Sequence, residues 1–244
     1  MSSPDNESRP RSSAGATRLT TGILQRSAQV VGTLILYGVL LFGSAGRLDW
    51  IAAWIFLAIG AAVIVINSSI LLRKNPEFIA ARGQARPDVK DWDKWVTGIA
   101  GILMIAGLIV PGLDLRFGWS RDFGAVWQVF GFIILIAGYA LFSWAMISNE
   151  FFETQVRLQA DRGQTVAEGG PYRYARHPGY VGMILQLLGT PLALASWWGL
   201  IPGVCAAACF AIRTALEDRT LQQELAGYAA YARRVRYRLL PWVW

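Results

Sequence analysis

The sequence predicts an all-α, polytopic membrane helix bundle of about six transmembrane helices, the last two a tight hairpin, followed by a C-terminal amphipathic helix. Three observations carry this. Charged residues make up only 16% of the chain, against about 25% in soluble domains. Four predominantly apolar runs, Ala28–Ala45, Trp50–Leu72, Trp95–Leu113 and Ala125–Ser148, are each long enough for a hydrocarbon core of about 30 Å. Finally, the basic residues fall on alternate sides of those runs. Of 23 Lys and Arg, twenty lie in the N-terminal tail, in 73–94, in 149–179 and from Arg213 onward; only Arg47, Arg116 and Arg121 lie in the opposite loops. That bias predicts an integral inner (plasma) membrane protein with both termini cytoplasmic.

Taken in order, residues 1–24 read as a disordered cytoplasmic tail, poor in groups that bury a core. Residues 25–148 hold the first four spans and a cytoplasmic loop, 73–94, whose Phe78, Trp92 and Trp95 suit anchors at a membrane interface. Residues 149–244 form the third region. Its apolar stretch Tyr180–Ile212 is too long for one span. It carries Gly-Thr-Pro at 189–191 and Ser-Trp-Trp-Gly at 196–199, which predicts a hairpin with a kink at Pro191. Beyond it, Leu221, Leu225, Tyr228, Ala232, Val235 and Leu239 follow helical spacing and predict an amphipathic helix that Pro241 stops. Such a helix either lies on the lipid or lids the bundle. Cys205 and Cys209, four apart in the sixth span, read as small residues at a helix interface, and no metal site is expected.

The spans carry almost no ionisable groups, which counts against a proton-coupled transporter. The net charge of +7 reads as topology and attraction to anionic lipid rather than nucleic-acid binding. One histidine, His177, excludes most histidine relays. What remains is a polar constellation on the predicted cytoplasmic side. It comprises Asn149, Glu150, Glu153, Arg157 and Arg162, then Tyr172, Arg173, Tyr174, Arg176, His177 and Tyr180, then Arg213, Glu217 and Asp218. The hairpin returns 213–218 to the side of 177–180. Arg213 and Glu217 stand four apart and share a helix face, so a simple ion pair between them competes with any functional role.

The stretch "GPYRYARHPGYVG" at 170–182 resembles the signature of membrane methyltransferases related to isoprenylcysteine carboxyl methyltransferase and the phospholipid N-methyltransferases. "NEFFETQVRLQADRGQTV" before it and "RTALEDRTLQQELAGYAAYARRVRYRLLP" after it are similar to the flanking blocks of that family. The resemblance implies S-adenosyl-L-methionine as cofactor, bound at the cytoplasmic ends of the last two spans. His177, Pro178, Tyr180 and Gly182 match the cofactor-binding signature, with Tyr172 and Arg176 beside it. Glu217 and Asp218 match the acidic pair, the second acid being Asp where Glu is commoner. Gln164 stands where relatives carry a His. Arg213 matches an arginine that orients the acceptor, which makes Arg213 and Glu217 the catalytic candidates. Asn149, Arg157, Arg173 and Arg213 are the substrate-binding candidates.

The expected partners are the lipid bilayer and a lipophilic or lipidated acceptor, with no nucleic acid. The leading expectation is methylation of a carboxylate. The alternatives are a phospholipid or amine N-methyltransferase, an NADPH-dependent sterol-reductase-like protein, and a non-enzymatic membrane scaffold.

Overall fold

A computed structural model describes residues 10–74, 89–153, 155–159 and 162–244. Among these every regular element is helical: α1 (Pro10–Ala45), α2 (Ile51–Lys74), α3 (Asp91–Phe117), α4 (Ala125–Ile147), a 3-10 turn (Gly170–Arg173), α5 (Pro178–Ala193), α6 (Leu200–Glu224) and α7 (Tyr228–Arg234). The apolar runs dictate the long helices. Stretches of Thr20–Ala45, Ile51–Arg73, Asp91–Phe117, Ala125–Ile147 and Leu200–Glu224 are long and apolar enough to cross a membrane. Their outward faces stay apolar, as lipid requires: Val126, Ile102, Val65 and Ile35 are all exposed.

Three sequence expectations change. The helix α1 begins at Pro10, inside the stretch 1–24 expected to be irregular; proline is well suited to a first helical position. Residues 1–9 and 75–88, the latter with Phe78, lie outside the described residues. Trp92 and Trp95 belong to the first turns of α3 rather than to a loop.

The second change concerns α5. Its 16 residues span about 24 Å at 1.5 Å per residue, less than a full crossing, so five helices rather than six have span length. Pro191 sits in the last turn of α5, where the helix is about to end, rather than kinking a longer arm. The predicted hairpin does form. Ala195, at φ 58°, and the Ser196–Gly199 turn reverse the chain into α6.

Third, the C-terminal amphipathic helix is not continuous. Gly227 adopts φ 84° and breaks it, leaving seven residues in α7. Helical spacing of apolar residues persists across the break because the chain folds back onto the same surface; Tyr228, Tyr231 and Leu239 are buried. Of the arginines in this stretch, Arg238 turns in to Asp218, while Arg234 pairs with Glu168 at 2.5 Å on the surface.

Close helix packing centres on α4 against α5. Gly131 and Gly138 of α4 face Gly182 and Gly189 of α5, one heptad apart on each helix. A Cβ on Gly182 would lie 2.6 Å from the Phe142 backbone nitrogen, and one on Gly189 2.7 Å from that of Leu135. Small residues let backbones approach where lipid supplies no hydrophobic drive. The short α5 is thereby embedded between α4 and α6, and its N-terminus is fixed at one end of the bundle. Cys205 is exposed and Cys209 half-buried, and both are free.

At the far end of the bundle, Asp114 fastens the hairpin. Its carboxylate accepts from Ser120 N (2.7 Å), Ser120 Oγ (2.6 Å) and Ser196 Oγ (2.5 Å). Ser196 Oγ in turn accepts from Gly199 N, and Ser120 Oγ from Trp197 N.

Candidate functional site

The N-terminus of α5 and the C-terminal half of α6 lie at one end of the bundle. Pro171 is the second residue of the 3-10 turn and Pro178 the first of α5, and each ring fixes its local φ, which stiffens the stretch between them. The peptide between them is also pinned from the tail: Arg176 N donates to Tyr237 O and His177 N to Arg238 O, both at 2.9 Å.

Under this stretch lies Asp218, wholly buried. Its Oδ1 accepts from Arg176 Nε (2.7 Å) and the Tyr228 hydroxyl (3.0 Å), and lies 3.4 Å from His177 Nε2. Its Oδ2 accepts from Arg176 Nη2 (3.0 Å), Arg238 Nε (3.0 Å) and Gln222 Nε2 (2.8 Å). Arg176 Nη1 also donates to the carbonyls of Val235 and Arg236, at 2.9 Å each. A buried carboxylate with two guanidinium partners and this many donors is saturated. Through these bonds Asp218, matched by resemblance to the cofactor's acidic pair, ties α5, α6, α7 and the tail together. Burial, reinforced by the neighbouring carboxylate, pushes the Tyr228 phenol well above its ordinary range.

One residue earlier, Glu217 faces an open cleft of about 830 Å³ counted out to its mouth. Its Oε2 accepts a short hydrogen bond from the Tyr180 hydroxyl. Its Oε1 has no protein partner among the described residues. The Tyr180 ring stacks on His177 at 5.8 Å and 14°. Tyr172 and Tyr231 close another side: the Tyr231 hydroxyl donates to Tyr172 O at 2.7 Å, and Asn149 Nδ2 to the Tyr172 hydroxyl at 3.4 Å. Burial raises the pKa of both phenols, so they stay neutral. Residues 151–153, 155–157, 159 and 164–167 supply the remaining wall, with Arg157 buried 3.6 Å from Glu153. There Gln164 Oε1 accepts from Gln159 N at 2.7 Å, so this residue braces the wall.

Of the candidates read from the sequence, Asn149, Arg157, Tyr172, Arg176, His177, Tyr180 and Glu217 line the cleft together. The others do not. Pro178 is the first residue of α5. Gly182 serves the contact with α4. Arg173 is exposed on the 3-10 turn and lies outside the lining.

Arg213 lies behind Tyr180, its Cζ 5.3 Å from that ring. Asp93 grips it, Arg213 Nε donating to Oδ1 at 2.6 Å and Nη2 to Oδ2 at 3.0 Å. Sequence reasoning missed Asp93, Tyr228 and Tyr231. Tyr228 was visible only as a position on the apolar stripe, and Tyr231 only within the tail block quoted for the resemblance. Asp93 was visible only as one acid within the stretch "VKDWDKW" at 89–95.

The cleft thus offers a carboxylate oxygen, several aromatic faces, a buried guanidinium and an amide. This donor set fits a ligand bearing an ammonium, a sulfonium, hydroxyls and a carboxylate: carboxylate answers ammonium and hydroxyl, and aromatic faces attract cations. Residues 126–226 match the family model described as phospholipid methyltransferase. That family implies a methyltransferase, and with the five long apolar helices an integral membrane one acting on lipid-like substrates. The match runs from α4 through α5 and α6 and stops before α7; Asp93 and the Arg238 tail lie outside it. No curated protein matches the chain.

Proposed function

We propose that the protein transfers a methyl group from S-adenosyl-L-methionine to a carboxylate of a lipid-like or prenylated acceptor, at the cytoplasmic membrane face. The observation that carries the cofactor reading is Glu217, with one oxygen engaged by Tyr180 and the other turned to a cleft walled by Tyr172, His177 and Tyr180. The one-sided basic residues support the cytoplasmic orientation.

When bound, the cofactor supplies a methyl carbon already activated by its sulfonium leaving group. The chain's task is therefore to align and desolvate. Glu217 holds an ammonium or ribose hydroxyl, and the Tyr180 hydroxyl fixes that carboxylate's rotamer. The aromatic faces accommodate positive charge. Arg157 and Asn149 lie on the opposite wall, where an anionic acceptor group would be oriented. Alignment of this kind is worth about 7–11 kcal/mol. A carboxylate has a reference pKa near 3.5 and needs no base.

The family match favours a second reading, N-methylation of a phospholipid amine. Such an amine must first lose a proton, and Glu217 or His177 is within the cleft to take it.

Calorimetry and thermal shift in detergent with S-adenosylmethionine, S-adenosylhomocysteine and NADPH test the cofactor; stabilisation by NADPH alone would end the methyltransferase proposal. Lipid extracts incubated with radiolabelled cofactor then separate the acceptors. A base-labile product whose formation is flat from about pH 6 to 8 is expected for a carboxylate. A base-stable product, formed faster as pH rises, promotes the amine.

A further inference from the structure

We infer that Asp93 is a positioning residue for the cleft, acting through Arg213 and Tyr180 on Glu217; this inference rests on the proposed cofactor site. Asp93 stands in the first turn of α3, its side chain wholly buried. It grips Arg213 with both oxygens, at 2.6 and 3.0 Å. The gripped guanidinium lies 5.3 Å over the Tyr180 ring, and the Tyr180 hydroxyl donates to Glu217 Oε2. These four side chains make a chain of direct contacts from α3 to the cleft.

The same carboxylate reaches the opposite wall. Its Oδ2 accepts from Val156 N at 2.8 Å, and Val156 lines the cleft. One group therefore sets the distance between α6 and the wall that contains Val156. The geometry gives it leverage that an ordinary structural ion pair lacks. A bidentate grip fixes the plane of the guanidinium, and that plane fixes how Tyr180 presents its hydroxyl to Glu217. Asp93 touches no ligand, so its effect passes entirely through its neighbours. Lys90, one turn away, makes a different tie: its Nζ donates to Glu224 at 2.8 and 2.9 Å, on the half-exposed outer surface.

The test is a double-mutant cycle read by calorimetric affinity for S-adenosylmethionine. Asp93→Asn and Tyr180→Phe are each expected to weaken binding about tenfold. The double variant should be no weaker than the poorer single variant, because both changes cut one relay. Lys90→Ala, which loosens the same end of α3 without touching Arg213, should bind as the wild type does. Losses that multiply in the double variant, or an equal loss in Lys90→Ala, would reduce Asp93 to a fold-holding role and overturn the inference. If Asp93→Asn does not fold, Asp93→Glu replaces it, keeping the charge but displacing the grip; undiminished affinity there overturns the inference too. Wild-type protein that binds no S-adenosylmethionine refutes the cofactor site itself, a result separate from any pattern among the variants.

Discussion

The two ends of the bundle each bury a carboxylate, and they use it differently. At the hairpin end, Asp114 collects two serine hydroxyls and one backbone amide and meets no cation among its hydrogen-bond partners. At the cleft end, Asp218 collects Arg176, Arg238, Tyr228 and Gln222, and the adjacent Glu217 keeps one oxygen turned to open space. A saturated carboxylate fastens helices. A half-engaged one beside it offers an interaction to something else. The difference teaches that burial and charge alone do not mark a site in this protein; what marks it is an acceptor left over after packing is complete.

The sharpest way to break this contrast is at Asp218. Asp218→Asn leaves Arg176 and Arg238 facing a neutral amide, and breaking a buried pair costs about 3–5 kcal/mol. A large fall in melting temperature is expected, together with loss of the α7 cap in limited proteolysis. Unchanged melting would refute the view of Asp218 as the structural hub.

Glu217→Ala should do the reverse. Melting should hold, while S-adenosylmethionine affinity falls by about tenfold to a hundredfold, the worth of a charge-assisted hydrogen bond of about 1.5–3 kcal/mol. The matched change at the far end, Asp114→Ala, should lower melting and leave cofactor affinity intact. Exchange of those two phenotypes would invert the comparison.

A smaller effect tests Gly182, which resemblance assigned to the cofactor and which packs against α4. Gly182→Ala forces a methyl toward the Phe142 backbone and should destabilise by about 1–3 kcal/mol. Affinity measured on the protein that remains folded should be unchanged.

The mildest probe is alkaline pH. Burial raises the phenols of Tyr172, Tyr228 and Tyr231 above their ordinary value. The folded state then holds their protons more tightly than the unfolded one. This stability is complete below about pH 10, the unfolded phenol value, and is lost as pH rises from there toward the folded values. Hydrogen exchange of α7 and the 170–177 segment should accelerate above about pH 10 before that of the Asp114 turn does. Simultaneous loosening of both ends would contradict it.

Much of the bundle was legible because apolar run length is a one-dimensional quantity. The hairpin at 194–199 and the meeting of His177, Tyr180 and Glu217 followed from where the chain reverses. The depth of α5 did not, since it depends on Gly131 and Gly138 of a different helix. Nor did the break at Gly227, because the apolar spacing continues on both sides of it. Asp93 was hidden for a different reason. In the sequence it is one acid among Asp88, Asp91 and their basic neighbours, and only the fold singles out which of them is carried inward to Arg213.

The bonds from Arg176 and His177 to the carbonyls of Tyr237 and Arg238 have a consequence for biogenesis. During synthesis the long apolar helices leave the ribosome and can enter the membrane before residues 228–238 exist. Until those residues arrive, the bundle is assembled but Asp218 lacks Tyr228 and Arg238. The last wall of the pocket is therefore completed late in translation, and a chain stopped between 225 and 237 would hold its long apolar helices while Asp218 lacked its bond from Arg238 and His177 N its bond to Arg238 O.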